Sequence, residues 1–300
     1  MTETTTPDRE LADLLALFAN RPPAQATPLA ELRSRMDRFP ELFPSGFDAA
    51  IGETTLGGVA AERVSAGEAA TVLYLHGGGY VIGSPKSHRH LAERLAVLLT
   101  GTVWNLGYRL APEAPYPAAL DDALAAYEAL TAQSPGPVAV AGDSAGGGLA
   151  LALAMAARDR GLPPPSCVVA LSPWVTLRSD GRTFDTLAHV DPLLSKATAD
   201  FFADHYAPAE RRDEPYVSPL RGELAGLPSM LIQVGADEVF RGDVEDFAAR
   251  LREAGVSTEL EVWDGVFHVW QLYWPILRKG DEALAAVAAF VARHGGTTHG

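Results

Sequence analysis

From about residue 70 onward, short β-branched runs alternate with longer Ala/Leu-rich segments of helical period, and this alternation limits the architecture more than any other feature. Alternation of this kind is the pattern of a mostly parallel sheet with helices on its faces. The runs are TVLYL at 71, GTVWNLGY at 101, PVAVA at 137, SCVVALS at 166, SMLIQV at 229 and TELEVW at 258. Most are apolar throughout, as burial on both faces requires. RHLAERLAVLL at 89, PAALDDALAAYEAL at 117, AGGGLALALAMAAR at 145, VEDFAARLREA at 244 and EALAAVAAFVARH at 282 carry apolar residues at helical spacing. Pro117 suits a first helical turn. A weaker hairpin over 50–70, punctuated by Gly57, Gly58 and Gly67, completes a mostly parallel eight-stranded α/β sheet flanked by helices. With 47% apolar residues in 300, the chain has the material for its core.

Two regions break the alternation. Residues 1–45 hold two helical patterns, around 8–19 and 28–38, with Pro22 and Pro23 between them. Residues 178–215 hold SKATADFFADHY at 195, between DPLL at 191 and APAERRDEP at 207. Insertions of this size between strands often carry function. The expected division is a sheet domain, 46–177 and 216–300, beneath a helical cap, 1–45 and 178–215. A solvated connection is the competing reading of the two insertions.

Charge and composition exclude other classes. With 24 basic and 38 acidic residues the net charge is −14, so there is no basic field for nucleic acid or anionic lipid. Cys167 is the single cysteine and cannot form an internal disulfide. The first ten residues, MTETTTPDRE, lack the basic start and apolar centre of a signal peptide. The apolar runs LALALAMAA at 149 and ALAAVAAFVA at 283 fall well short of the ~18 residues that suggest a membrane span. A cytoplasmic protein without a membrane span is expected.

Gly142-Asp143-Ser144-Ala145-Gly146-Gly147 is the strongest local signal, because it follows PVAVA directly and opens a helix. A G-x-S-x-G in that context presents its serine on a tight turn at the sheet's carboxyl edge. Such a hydroxyl attacks only when a base accepts its proton. His76-Gly77-Gly78-Gly79-Tyr80 follows TVLYL and forms a loop whose amides can approach a substrate oxygen. With the amide of Ala145 these would stabilise the charge of a tetrahedral intermediate. The loop has neither the G-x-G-x-x-G of a dinucleotide site nor a Walker lysine.

Among eight histidines, His268 lies just past the last strand, where this order of motifs places the base. His76 is expected to brace its own loop. His189 and His205 fall in the second insertion, and His294 and His299 in the tail. His88 and His90 form an H-x-H with no third ligand cluster or C-x-x-C, so they read as a solvated pair and no metal is expected. For the orienting acid, Asp237 follows SMLIQV in Gly235-Ala236-Asp237-Glu238 and is preferred over Glu238 and Asp264. Asp264 is expected to shape the His268 loop, and Asp243 to cap the following helix.

HGGGY at 76, YRLAPEAPYPAALDD at 108 and GDSAGG at 142, continued by SPW at 172, GADEV at 235 and FHVW at 267, resemble the bacterial hormone-sensitive-lipase-like esterases of the α/β-hydrolase superfamily. The likeness covers about residues 50–293 and implies an α/β-hydrolase fold with a helical cap. It implies Ser144 as nucleophile, Asp237 as acid and His268 as base, with the amides of Gly78, Gly79 and Ala145 as oxyanion hole and Gly77 completing the loop. One departure stands out: relatives often carry Asp-Pro-Leu at the acid, where this chain has Asp237-Glu238-Val239. The implied reaction is hydrolysis of small carboxylic esters of short to medium acyl length, or of lactones, without cofactor or metal. An amidase, formamidase or acetylhydrolase on the same triad is the nearest alternative, and a non-catalytic ligand-binding module the more distant one. Tyr80, Trp174, Phe240 and Val269 are candidate substrate contacts, as are Leu193, Leu194, Phe201, Phe202 and Tyr206; packing is the competing role for each. Many relatives form homodimers, so a homodimer is compatible with the resemblance.

Overall fold

A computed structural model describes residues 6–19, 21–47 and 49–295. The helices α1 (Thr6–Phe18), α2 (Leu29–Asp37) and α3 (Phe39–Leu42) precede the antiparallel pair β1 (Ala50–Leu56) and β2 (Val59–Ser65). Alternation then begins with β3 (Thr71–Leu75), α4 (Pro85–Leu99), β4 (Thr102–Leu106), α5 (Ala118–Gln133), β5 (Val138–Asp143), α6 (Ala145–Asp159) and β6 (Val168–Leu171). The insertion before the next strand holds α7 (Thr183–Thr186) and α8 (Lys196–Tyr206). The chain closes with β7 (Met230–Gly235), α9 (Arg241–Glu253), β8 (Thr258–Trp263) and α10 (Arg278–Gly295). The eight strands form one sheet in the order β1-β2-β4-β3-β5-β6-β7-β8, parallel from β4 to β8.

Side-chain alternation divides the core between the faces. Leu73 and Leu75 of β3 join Val138 and Val140 of β5 in one cluster with α5, α6, α9 and the insertion. Val72 and Tyr74 join Ala139 and Ala141 in the other, with α1, α4 and α10. Every residue of α6 from Ala145 to Ala157 is buried, which explains its nearly unbroken Ala/Leu/Gly composition. Cys167 is a buried core thiol whose pKa burial raises to about 11, so it does not act as a nucleophile.

Several expectations need correction. Pro117 is the residue before α5 and not part of its first turn. Asp243 lies inside the first turn of α9, whose N-cap is Phe240. His88 and His90 are both fully buried, so they are not a solvated pair. They leave α4 on different sides, His88 toward Asp143 and His90 toward Leu272 O, and the helix is covered on both. His299 lies outside the described residues, and His294 belongs to the last turn of α10. Among the described residues no helix is long and apolar enough to cross a membrane.

Candidate active site

The carboxyl ends of β3, β5, β6 and β7 share one sheet edge, where crevices of open α/β sheets hold ligands. At the end of β5 the chain turns directly into α6 through Ser144, at φ 51° and ψ −119°. Backbone in such a region costs of order 1–3 kcal/mol and persists only when its surroundings over-determine it. Here Ser144 N–H donates to Leu171 O at 2.8 Å, and its carbonyl accepts from Trp174 and Gly148 at 2.9 and 3.0 Å. Close approach dictates the flanking glycines: a Cβ on Gly146 would lie 2.0 Å from Leu75 O, and one on Gly142 would lie 2.3 Å from Gly146 O.

His268 Nε2 lies 2.9 Å from Ser144 Oγ, and His268 Nδ1 lies 2.9 Å from Glu238 Oε2. A carboxylate at Nδ1 keeps the ring proton there, which leaves Nε2 to accept from the serine hydroxyl. The partner of His268 is thus Glu238 and not Asp237. The reason is the turn after β7: Glu238 N–H reaches back to Gly235 O at 3.3 Å, folding residue 238 over the strand end while the half-buried Asp237 diverges. Glu238 is fully buried. Its Oε1 accepts from Ser172 Oγ at 2.6 Å and from Gly235 N–H at 2.6 Å, which compensates the buried charge. Ser172 Oγ in turn accepts Val269 N–H at 3.1 Å, tying the carboxylate to the residue after His268. Asp264 is exposed and its carbonyl accepts from Lys279 Nζ at 2.6 Å, so it shapes the loop as expected.

The glycine loop after β3 is held from beneath. Asp143 Oδ1 accepts Gly77 N–H at 2.9 Å and the Tyr74 hydroxyl at 2.8 Å, while His88 Nε2 approaches Oδ2 at 3.3 Å. Burial disfavours the charged form of Asp143, yet His88, with Tyr74 and His76, holds its pKa below the ordinary value. His76 donates from Nδ1 to Gly77 O at 2.8 Å and stacks on Tyr108 at 4.3 Å. Burial, with His88 nearby, lowers its pKa to about 3, so it stays neutral and braces the loop. Gly78 and Gly79 take φ of 119° and 62°, and their amides, like that of Ala145, carry no hydrogen bond to another described residue. The sequence ranks Asp237 ahead of Glu238 and does not show the contacts of Ser172 with Glu238 or of His88 with Asp143. The departure from Asp-Pro-Leu is the one signal that the carboxylate facing His268 is not Asp237.

Several of the remaining candidates lie beside this row or the glycine loop. Trp174 stacks on Phe240 at 5.8 Å, and Phe240 meets the His268 ring edge-on at 5.2 Å. Tyr80 stacks on Tyr206 of α8 at 3.7 Å. Val269 is buried beside His268 at φ 52°. Phe202 presses on the glycine loop: a Cβ on Gly79 would lie 2.5 Å from its ring. Among the described residues no group of His, Cys, Asp and Glu is arranged to hold a metal ion.

Sheet, serine turn and glycine loop together define an α/β hydrolase. A family model described as an alpha/beta hydrolase fold matches residues 72–272. An acetyl-hydrolase of Streptomyces hygroscopicus is 40% identical over 266 residues, covering 86% of this chain and 88% of that protein. An ethyl acetate hydrolase of Pseudomonas putida is 38% identical over 236 residues, covering 75% and 73%. A crystal structure of an esterase from the bacterial hormone-sensitive lipase family superposes with a TM-score of 0.90 at 36% identity, covering 98% and 99%. The chain belongs to the hormone-sensitive-lipase-like esterases, and it is a carboxylester hydrolase.

Proposed function

We propose that Ser144, His268 and Glu238 are the catalytic triad and that the preferred substrates are acetyl and other short-chain esters. The hydrogen-bonded row from Ser144 Oγ through His268 to Glu238 carries the reading. Ser144 Oγ attacks the ester carbonyl as its proton passes to His268 Nε2, and Glu238 stabilises the imidazolium. The amides of Gly78, Gly79 and Ala145 receive the developing oxyanion. Collapse expels the alcohol, which takes the proton from His268. Water then repeats the sequence on the acyl-enzyme and releases the acid.

Residues 1–45 and 178–215 act as the cap in this reading. Its support is that α8 packs on the turn at Ala24–Ala26, while Arg33 donates to Val81 O and Ala111 O at 2.9 Å each. The acyl limit follows from Phe202 against Gly79 and from the Tyr80/Tyr206 stack, which fill space beside the oxyanion loop. The names of the acetyl-hydrolase and ethyl acetate hydrolase relatives agree with small acyl groups. A net charge of −14 favours neutral small molecules over nucleic acid, and the unpaired Cys167 agrees with a cytoplasmic setting.

Ser144→Ala should abolish p-nitrophenyl acetate turnover in folded protein, and a phosphonate should label Ser144 of the wild type. Retained turnover in the variant would sink the triad. Phe202→Ala should raise hexanoate over acetate turnover by roughly tenfold or more, the scale of added methylenes in an apolar pocket. An unchanged ratio would refute the acyl limit. Matched acetanilide and phenyl acetate substrates separate amidase from esterase activity.

A further inference from the structure

The insertion grips the backbone beside the triad acid from both sides. Asp191 is buried, and its two oxygens serve different purposes. Oδ1 accepts the amides of Leu193 and Leu194 at 2.9 Å each, closing the turn that leads to Ser195, the N-cap of α8. Oδ2 accepts Val239 N–H at 3.0 Å, across 48 residues of sequence. On the other side of the same residue, Thr183 Oγ1 donates to Val239 O at 2.7 Å and accepts Gly242 N–H at 2.9 Å. Both polar groups of the Val239 backbone are therefore held by the insertion.

Val239 N–H belongs to the peptide that leaves Glu238. Pinning it fixes rotation about the Glu238 Cα–C bond, and so orients the whole turn that carries the carboxylate to His268. We propose that Asp191 and Thr183 are positioning residues for the triad acid, so that the insertion sets catalytic geometry as well as covering the site. The inference rests on Glu238 being that acid. A displacement of even ~1 Å at such a group costs rate on the order of 10²-fold. Burial raises the Asp191 pKa, but all three of its bonding partners are N–H donors, the set a carboxylate accepts.

Asparagine cannot replace this aspartate. Its oxygen can face either Val239 or the Leu193 and Leu194 amides, and its NH₂ then opposes an N–H at the other side. Asp191→Asn should lower kcat for p-nitrophenyl acetate about tenfold or more with KM within about twofold, as expected for a residue that acts on the acid. Thr183→Val should lower kcat about threefold, and Thr183→Ser, which keeps the hydroxyl, should restore it. Thr183→Val keeps the test open should Asp191→Asn fail to fold. Unchanged kcat in Thr183→Val, or a loss carried by KM alone, would overturn the positioning role. Phosphonate labelling and Glu238→Gln are run alongside. If the wild type labels at Ser144 and Glu238→Gln is inactive while both clamp variants keep full kcat, only the clamp fails. If Glu238→Gln is fully active, the triad reading fails instead.

Discussion

Asp143 ends β5 and Glu238 lies just past β7, and they receive the same kinds of donor, yet in the proposed mechanism they serve opposite sides of the reaction. Each is buried and accepts one hydroxyl, one glycine amide and one imidazole: Tyr74, Gly77 and His88 for Asp143, and Ser172, Gly235 and His268 for Glu238. The difference lies in what the far nitrogen of each histidine meets. His88 Nδ1 meets Ser87 Oγ at 2.8 Å inside the fold, so that network ends in structure. His268 Nε2 meets Ser144 Oγ at the crevice, so that network ends in the proposed nucleophile. Identical donor chemistry thus yields an anchor for the glycine loop in one case and the proposed orienting acid in the other.

Asp243 sharpens the comparison from the other direction. It is buried under Gly181, where a Cβ would lie 2.3 Å from its Oδ1, and it faces Asp180 and Asp246. Burial first, and then those two acids, raise its pKa to about 7 despite its place in the first turn of α9. At Asp243 burial and the neighbouring acids disfavour the charged carboxylate. The donors around Asp143 reverse that.

The largest expected effect breaks the Glu238 side. Glu238→Gln should lower kcat on the order of 10³–10⁴-fold, the scale of losing the carboxylate that sets the tautomer of a catalytic histidine. Asp237→Asn should stay within a few-fold of wild type; the reverse ranking by steady-state kinetics would restore Asp237 as the acid. Next comes the Asp143 side. Asp143→Asn should lower kcat by about 10–10²-fold through the glycine loop while phosphonate labelling of Ser144 persists, and the melting temperature should fall because His88 loses its buried partner. Equal losses in both variants would mean that the two networks are not functionally distinct.

A smaller effect is expected from Ser172→Ala, which removes one hydroxyl from the Glu238 set. A hydrogen bond to a charged group is worth about 1.5–3 kcal/mol, so kcat/KM should fall by roughly 10–10²-fold, at the lower end where Gly235 compensates. The smallest concerns stability alone. The folded-state pKa of Asp243 lies above its ordinary value of 3.8, so its cost to stability is absent below that value, grows as pH rises, and is complete above about 7. Asp243→Asn should therefore raise the melting temperature by about 2 °C or more at pH 8 and leave it nearly unchanged at pH 4. A gain confined to low pH would contradict a carboxyl held protonated by burial.

Local backbone needs were readable in the chain itself. Glycines at 142 and 146 announce the serine turn because no side chain fits there, and the run at 77–79 announces a tight loop, with positive φ at Gly78 and Gly79 and no room for a side chain at Gly77 beside Asp143. Apolar β-branched runs and helical patterns placed the six strands from β3 to β8 and the helices between them, with a weaker hairpin for β1 and β2, since burial acts directly on composition. The pairing of Ser144 with His268 was legible because each follows a strand that topology brings to one edge. The carboxylate partner of His268 was not. Asp237 and Glu238 follow the same strand, and a turn of a few residues decides which carboxylate reaches His268. The H-x-H at 88 and 90 read as solvated because its partners, Asp143 and Leu272 O, lie 55 and 182 residues away.

The sequence by itself determined the order of strands and helices, the serine turn, the glycine loop and the ester-hydrolase chemistry that these imply. Only the tertiary structure decided that Glu238 orients His268, that Asp143 anchors the loop, and that Asp191 and Thr183 reach Val239. The physical reason is range. Periodicity, turn chemistry and close backbone approach act within a few residues, whereas the partners of a buried carboxylate are chosen by packing across the whole fold.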